Sequence, residues 1–163
     1  METSAVFSAC RQYRYALWRR WAEGPQVLFV MLNSSTADES VDDPTIRRCI
    51  GLAKGWGFGS LAVGNLFAFR TPSPVTLKRT AAPVGELNDE WLHTLQPNAA
   101  LTIAAWGNHG VFMGRSGVVR AMFPNLHTLG LTQLCEPRHQ LYVSAASRPE
   151  LWEVIYTKAQ KSV

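Results

Sequence analysis

QVLFVMLNSSTADESVDDPTIRR, residues 26–48, is the stretch from which the fold is read. Val27 to Leu32 form an unbroken apolar run, short enough to be a strand buried on both faces, and so the central strand of an α/β sheet. The run stops at Asn33, and the polar loop from Asn33 to Asp38 lies beyond the carboxyl end of the strand, where such sheets place ligand chemistry. Asp43 and Pro44 supply an N-cap and a first-turn proline, so a helix is expected to start there. In that helix Ile46, Cys49, Ile50 and Ala53 fall on one face, Arg47 and Lys54 lie to one side and Arg48 is nearly opposite, which leaves the arginines available.

Upstream, residues 5–21 contain AVFS, a turn-like ACRQ and then YRYALWRRW, whose alternation predicts an edge hairpin laid against the main sheet. Downstream, the glycine-rich GWGFGS leads to a second buried strand, LAVGNLF, and residues 74–80 allow one short turn of helix. Leu87, Trp91 and Leu95 predict a helix over 86–96, and LTIAA at 101–105 a third strand. A helix is expected from the Trp106–His109 loop through Met122, with Val111, Val118, Val119 and Met122 as its apolar stripe and Arg115 near the edge. LHTLGL, residues 126–131, reads as a fourth strand, and Pro149 opens a last helix that packs Leu151, Val154, Ile155 and Tyr156. The expected architecture is therefore a single α/β domain over 1–163: three layers, α/β/α, around a mainly parallel four-stranded sheet with an N-terminal edge hairpin.

Composition narrows the class. At 163 residues, 47% hydrophobic and 17% charged, the chain has the make-up of a soluble globular protein. No apolar run reaches the length of a membrane span and METSAVFSACRQYRY lacks the apolar core of a signal peptide, so a cytoplasmic protein without membrane partners is expected. Cys10, Cys49 and Cys135 are far apart and form no metal-ligand pattern, so neither a metal nor a cofactor is expected. The net charge of +4 comes mostly from arginine, at Arg11, Arg14, Arg19 and Arg20 and again at Arg47 and Arg48. Such an excess is compatible with DNA, RNA or nucleotide ligands, and equally with a solvated surface.

If the sheet is parallel, four loops converge at one edge: 33–38, 65–70, 106–109 and 132–139. They bring together Asn33, Ser35, Thr36, Asp38, Asn65, Arg70, Trp106, His109 and His139, a composition suited to a planar polar ligand, with amides as paired donors and acceptors and arginine as a forked donor. His109 and His139 are candidates for a general acid or an electrostatic clamp, against the ordinary role of capping a loop. Asp43 is explained by the N-cap, which makes Asp38 the freer carboxylate. No GxSxG elbow surrounds Ser34 or Ser35, and GxxxxGK[ST] and GxGxxG are absent. Cys49 belongs to the core.

The ordered set VLFVMLNSSTADESVDDPTIRRC, GWGFGSLAVGNLFAFR, AAWGNHG, LGLT and PRHQLY resembles an uncharacterised bacterial and phage family of unknown function, whose first signature is usually MLNPSTAD and whose last is a His-Pro-Leu-Tyr segment. The resemblance runs from Phe7 to Tyr142. Ser34 and Gln140 stand where that family usually has proline, and each removes a fixed backbone angle. A more distant resemblance is to the uracil-DNA glycosylase superfamily: Asn33 is similar to the asparagine of its first motif, Trp106, Gly107 and His109 to a Trp-Gly-x-His segment, and His139 to its late histidine. That resemblance implies an α/β/α fold. It also implies a chemistry in which Asn33 or Asp38 positions water, His139 stabilises the departing base and Asn65 reads the base edge. Ser35, Thr36, Arg47, Arg48, Arg70, Trp106 and His109 complete the expected binding set.

Three function classes follow. The first is an enzyme acting on a nucleobase, nucleotide or nucleic acid at the glycosidic position; the second is a non-catalytic nucleic-acid or nucleotide binding module. The third is a hydrolase or transferase of a small polar metabolite, since fold does not fix function.

Overall fold

The computed structural model describes residues 1–153. Among them the chain forms an α/β structure with a seven-stranded mixed sheet and four α-helices. Strands β1 (Glu2–Phe7) and β2 (Arg14–Arg20) make the N-terminal hairpin, and β2 also pairs antiparallel with β4 (Ser60–Phe67). The central strand, β3 (Gln26–Asn33), lies between β4 and β5 (Leu101–Ala105) and is parallel to both, Val30 facing Gly64 on one side and Ala104 on the other. Strand β6 (His127–Thr128) continues in parallel beyond β5, and β7 (Glu150–Leu151) closes the far edge antiparallel.

Both faces of β3 are covered, which is why its apolar run does not alternate. Leu28, Val30 and Leu32 pack with Leu92 and Leu95 of α3 (Asn88–Leu95) and Val119 of α4 (Arg115–Met122). Val27, Phe29 and Met31 pack with Ile46, Cys49, Ile50 and Ala53 of α1 (Pro44–Gly55) on the opposite face. Each such large side chain contributes about 1.5–3 kcal/mol by burial. Helix α1 starts as its cap dictates: Asp43 is extended and its carboxylate accepts the Ile46 N–H at 2.9 Å. Helix α3 packs closely on β4 at Gly64, where a Cβ would stand 2.7 Å from Leu92 Cδ2 and displace that side chain.

Several elements differ from expectation, each for a local reason. The short helix at 74–80 is present as α2 (Pro74–Arg79), capped by Ser73. Helix α3 starts at Asn88 rather than residue 86, because the buried Asn88 amide donates to the carbonyls of Asn65 and Leu66 and sets the rotation of the helix. Leu92 and Leu95 therefore carry the packing, while Leu87 is exposed and Trp91 half-buried. The expected helix through Met122 is broken: a 3₁₀ segment over Asn108–Gly114 ends in two left-handed residues, Met113 and Gly114, before α4 begins. That rotation leaves Val111 and Val118 exposed and buries Arg115, whose guanidinium holds Asp89 at 2.7 Å and the Leu66 carbonyl at 3.0 Å.

The fourth expected strand is confined to two residues, since the chain turns at Gly130 and Leu131 pairs with Pro137 instead. Pro149 introduces β7, and the expected last helix begins after it, at Trp152 rather than at the proline; the packing expected of Val154, Ile155 and Tyr156 lies outside the described residues. No helix among the described residues is long and apolar enough to cross a membrane.

Candidate active site

From β3 the chain passes to β4 on one side, and from β5 it passes to β6 on the other. The carboxyl ends of β3 and β5 thus flank the point where connections part, the position at which an open α/β sheet leaves a crevice. A cleft of about 730 Å³ lies there, lined by the ends of β3 and β5, the start of α1, the 71–74 segment and the 132–142 segment. Its size is that of a small-molecule site.

Asn33 stands on its wall with the amide orientation determined. Nδ2 lies within hydrogen-bonding distance of three carbonyls, those of Ser34, Phe69 and Thr71, at 2.8, 3.2 and 2.7 Å. The amide oxygen has no donor among the described residues, so Asn33 offers the cleft an acceptor. His139 is complementary to it. Its Nδ1 accepts the Leu141 N–H at 3.2 Å, which assigns the proton to Nε2 and makes the ring a neutral donor. Burial pushes the pKa of this imidazole below its ordinary value, against the opposing pull of Asp43.

Among the described residues Asp43 is the carboxylate that lines the cleft. It is 8% exposed, and its two oxygens accept the N–H groups of Ile46 and Ala37 at 2.9 and 3.3 Å, so the cap of α1 is also a cleft wall. Asp38 is elsewhere: its Oδ1 accepts the Ser40 and Val41 N–H groups in an exposed turn, which hold its carboxyl below the usual range. It does not line the cleft. The capping role of Asp43 thus coincides with a place in the site, and Asp38 closes a turn.

Trp106 and His109 both line the cleft. The Trp106 ring is buried, and its Nε1 donates to Glu136 at 2.9 Å, an oxygen that Ser116 of α4 also reaches at 2.7 Å. Gly110 is required beside it, since a Cβ there would stand 2.2 Å from the indole Cδ1. His109 is exposed, its pKa lowered by partial burial and by Lys78. Ser35 reaches the cleft, whereas Thr36 and Arg70 line a shallower hollow with Arg11. Arg70 donates to the carbonyls of Ser35 and Arg11 and lies over the Phe7 ring.

Asn65, Arg47 and Arg48 do not line the cleft. Asn65 is fully buried and donates to the Ser34 hydroxyl at 3.2 Å. Arg47 donates to the Asp42 carbonyl, and Arg48 ties α1 to the carbonyls of Gln140 and Val143. Neither arginine is an idle surface charge.

Arg14, Thr45, Asn108, Arg138 and Tyr142 line the cleft and were not singled out by the sequence pattern. Arg14 is 1% exposed; Nη1 donates to the Ala37 carbonyl at 2.9 Å and Nε has no partner among the described residues. Burial lowers its pKa to about 10, with Asp43 opposing. Tyr142, 79% exposed, holds its ring 5.6 Å from that of His139 at the cleft mouth. An aromatic pair at a mouth is a stacking surface, and the only available signal for it was the late His-Gln-Leu-Tyr order.

The family described as "Protein of unknown function (DUF1643)" matches residues 14–141. The chain belongs to that family. The part shared with DUF1643 starts at Arg14 and ends at Leu141, both of which line the cleft, so among the described lining residues only Tyr142 falls outside the shared span. No curated protein and no solved structure matches the chain.

Proposed function

We propose that this DUF1643 protein is an enzyme that hydrolyses the N-glycosidic bond of a nucleobase-containing ligand, on a core of uracil-DNA-glycosylase type. The observation that carries this reading is the meeting of Asn33, Asp43 and His139 on the walls of one half-enclosed cleft. In this reaction water adds to the anomeric carbon, the C–N bond breaks, and its electron pair leaves with the base. Asp43 orients the water and takes up its proton, in the role the sequence pattern gave to Asp38. The Nε2–H of His139 stabilises the negative charge that develops on the base, and a neutral donor suits that task because it need not lose a charge to act. The proton finally passes to the base or to solvent. Asn33 accepts a hydrogen bond from the base edge or the water, and Tyr142 covers the base plane.

The resemblance of Asn33, of Trp106, Gly107 and His109, and of His139 to glycosylase motifs supports the reading, because all of these residues line the cleft. A binding module resting on Arg47 and Arg48 has less support, since both are engaged with backbone carbonyls. The test is release of free base from nucleosides, nucleotides and modified single-stranded and duplex DNA, for wild type, Asn33→Ala and His139→Gln. Base release by wild type that falls at least about 100-fold in both variants is expected for groups of this kind. No release from any of these ligands overturns the proposal and directs attention to other small polar metabolites.

A further inference from the structure

Two arginines are buried on β2, and they differ at one edge. In Arg19 the Nε and Nη2 edge is filled, by the Asp42 carboxylate at 2.7 Å and the Asp38 carbonyl at 2.6 Å. In Arg14 the same edge has no partner among the described residues: Nη1 alone is engaged, by Ala37, and Nε is buried without an acceptor. That edge is the forked donor pair that matches the oxygens of a carboxylate or phosphate. Arg14 lines the cleft, whereas Arg19 does not.

We infer that Arg14 is an anion-binding residue of this cleft and that its partner is the phosphate of a free nucleoside monophosphate. The inference deepens the glycosidic reading and rests on it for the nucleoside part. Among the described residues that line the cleft, the ionic groups are Arg14, Arg138, Asp43 and the two histidines. Both histidines are held toward the neutral form and Asp43 offsets one arginine, which leaves one positive charge for a ligand anion. Arg138 engages the Leu131 carbonyl through Nε at the exposed rim. A buried cation with an unpaired fork is better complemented by an oxyanion than by a neutral base edge. Depth selects the ligand: a terminal phosphate reaches a nearly inaccessible guanidinium, whereas an internal phosphodiester carries chain on both sides. A cleft of about 730 Å³ accommodates a mononucleotide.

The experiment is isothermal titration of wild type, Arg14→Gln and Arg14→Lys with inorganic phosphate, benzoate, the four ribonucleosides, their 5′-monophosphates and a short single-stranded oligonucleotide, with circular dichroism of each variant. At least one monophosphate is expected to bind about 10- to 100-fold more tightly than its nucleoside, the range of a charge-assisted pair. Arg14→Gln is expected to abolish that advantage and Arg14→Lys to retain only part of it, since lysine keeps the charge without the fork. If Arg14→Gln does not fold, Arg14→Lys decides. Equal affinity for nucleoside and monophosphate, an advantage that survives folded Arg14 variants, tighter binding of the oligonucleotide, or benzoate outcompeting phosphate each overturns the inference. Arg14-dependent monophosphate binding without base release upholds the inference and removes the glycosidic reading alone.

Discussion

The Nδ1 atom of His139 accepts the backbone N–H of Leu141 at 3.2 Å, so the chain itself selects which ring nitrogen faces a ligand as a donor. Protonating Nδ1 would place two donors against each other, in agreement with the lowered pKa that burial imposes. The folded state therefore binds this proton less readily than the unfolded chain. The stability it contributes is fully present above the ordinary histidine pKa of about 6.5 and is lost as pH falls through that value toward the lower folded one. An NMR titration of the His139 ring is expected to show the Nε2–H tautomer at pH 7 and a midpoint below about 6.5. Base release is expected to hold level above that midpoint and to decline below it.

Asp43 has two roles that one substitution separates. Asparagine is also a favoured N-cap, so Asp43→Asn keeps an acceptor for the Ile46 N–H while removing the charge. Asparagine leaves the Ala37 N–H without its acceptor, so urea denaturation is expected to place Asp43→Asn between wild type and Asp43→Ala, which falls by about 0.5–2 kcal/mol. Base release by Asp43→Asn is expected to drop about 100-fold or more. Asp38→Asn is expected to leave it near the wild-type rate, since Asp38 does not line the cleft.

Ser34 is buried, and its hydroxyl donates to the Arg14 carbonyl at 2.9 Å while accepting the Asn65 amide at 3.2 Å. Ser34→Ala leaves both groups without that partner in a site closed to water. A loss of about 1–3 kcal/mol is expected in equilibrium unfolding. A change within a few tenths of that scale would show that the hydroxyl does not join the β3 exit loop to β2.

Gly110→Ala tests the Trp106 wall. A Cβ 2.2 Å from the indole Cδ1 forces the ring or the 3₁₀ segment to move. Destabilisation of about 1–3 kcal/mol is expected, the range of an overpacked core, together with a shift in tryptophan emission as the hydrogen bond from Trp106 to Glu136 is disturbed. Unchanged emission and stability would mean that the packing at Trp106 is looser than its 1% exposure indicates.

Local chemistry was legible wherever a few adjacent residues carry the whole signal. The unbroken run from Val27 to Leu32 announces a strand covered on both faces, and Asp43 before Pro44 announces a helix start, because capping and burial act within one element. Helix α3 was displaced by a contact no window contains, the Asn88 amide on β4, and the 106–122 segment is broken by the left-handed pair at Met113 and Gly114, after which Arg115 is held by Asp89 and the Leu66 carbonyl.

The site divides in the same way. That polar residues gather beyond the strand ends follows from strand and helix alternation, and Asn33, Ser35, Trp106, His109 and His139 do line one cleft. Which charges enter it was decided only by the fold. Alternation placed Arg14 beside Tyr13 and Tyr15 in an edge hairpin, but β2 lies inside the sheet and the 34–43 loop folds over it, so Arg14 becomes a buried cleft residue. Asp38, Arg47 and Arg48 look equally free in the sequence, yet each is bound to backbone groups: Asp38 and Arg47 to neighbours two to five residues away, and Arg48 to the carbonyls of Gln140 and Val143, which only the folded chain brings within reach. The sequence by itself determined the α/β class and the edge of the sheet where polar groups collect, because both depend on short-range order. The tertiary structure decided the partners of Arg14, Arg19, Arg48 and Arg115, because those depend on which distant carbonyl comes within about 3 Å.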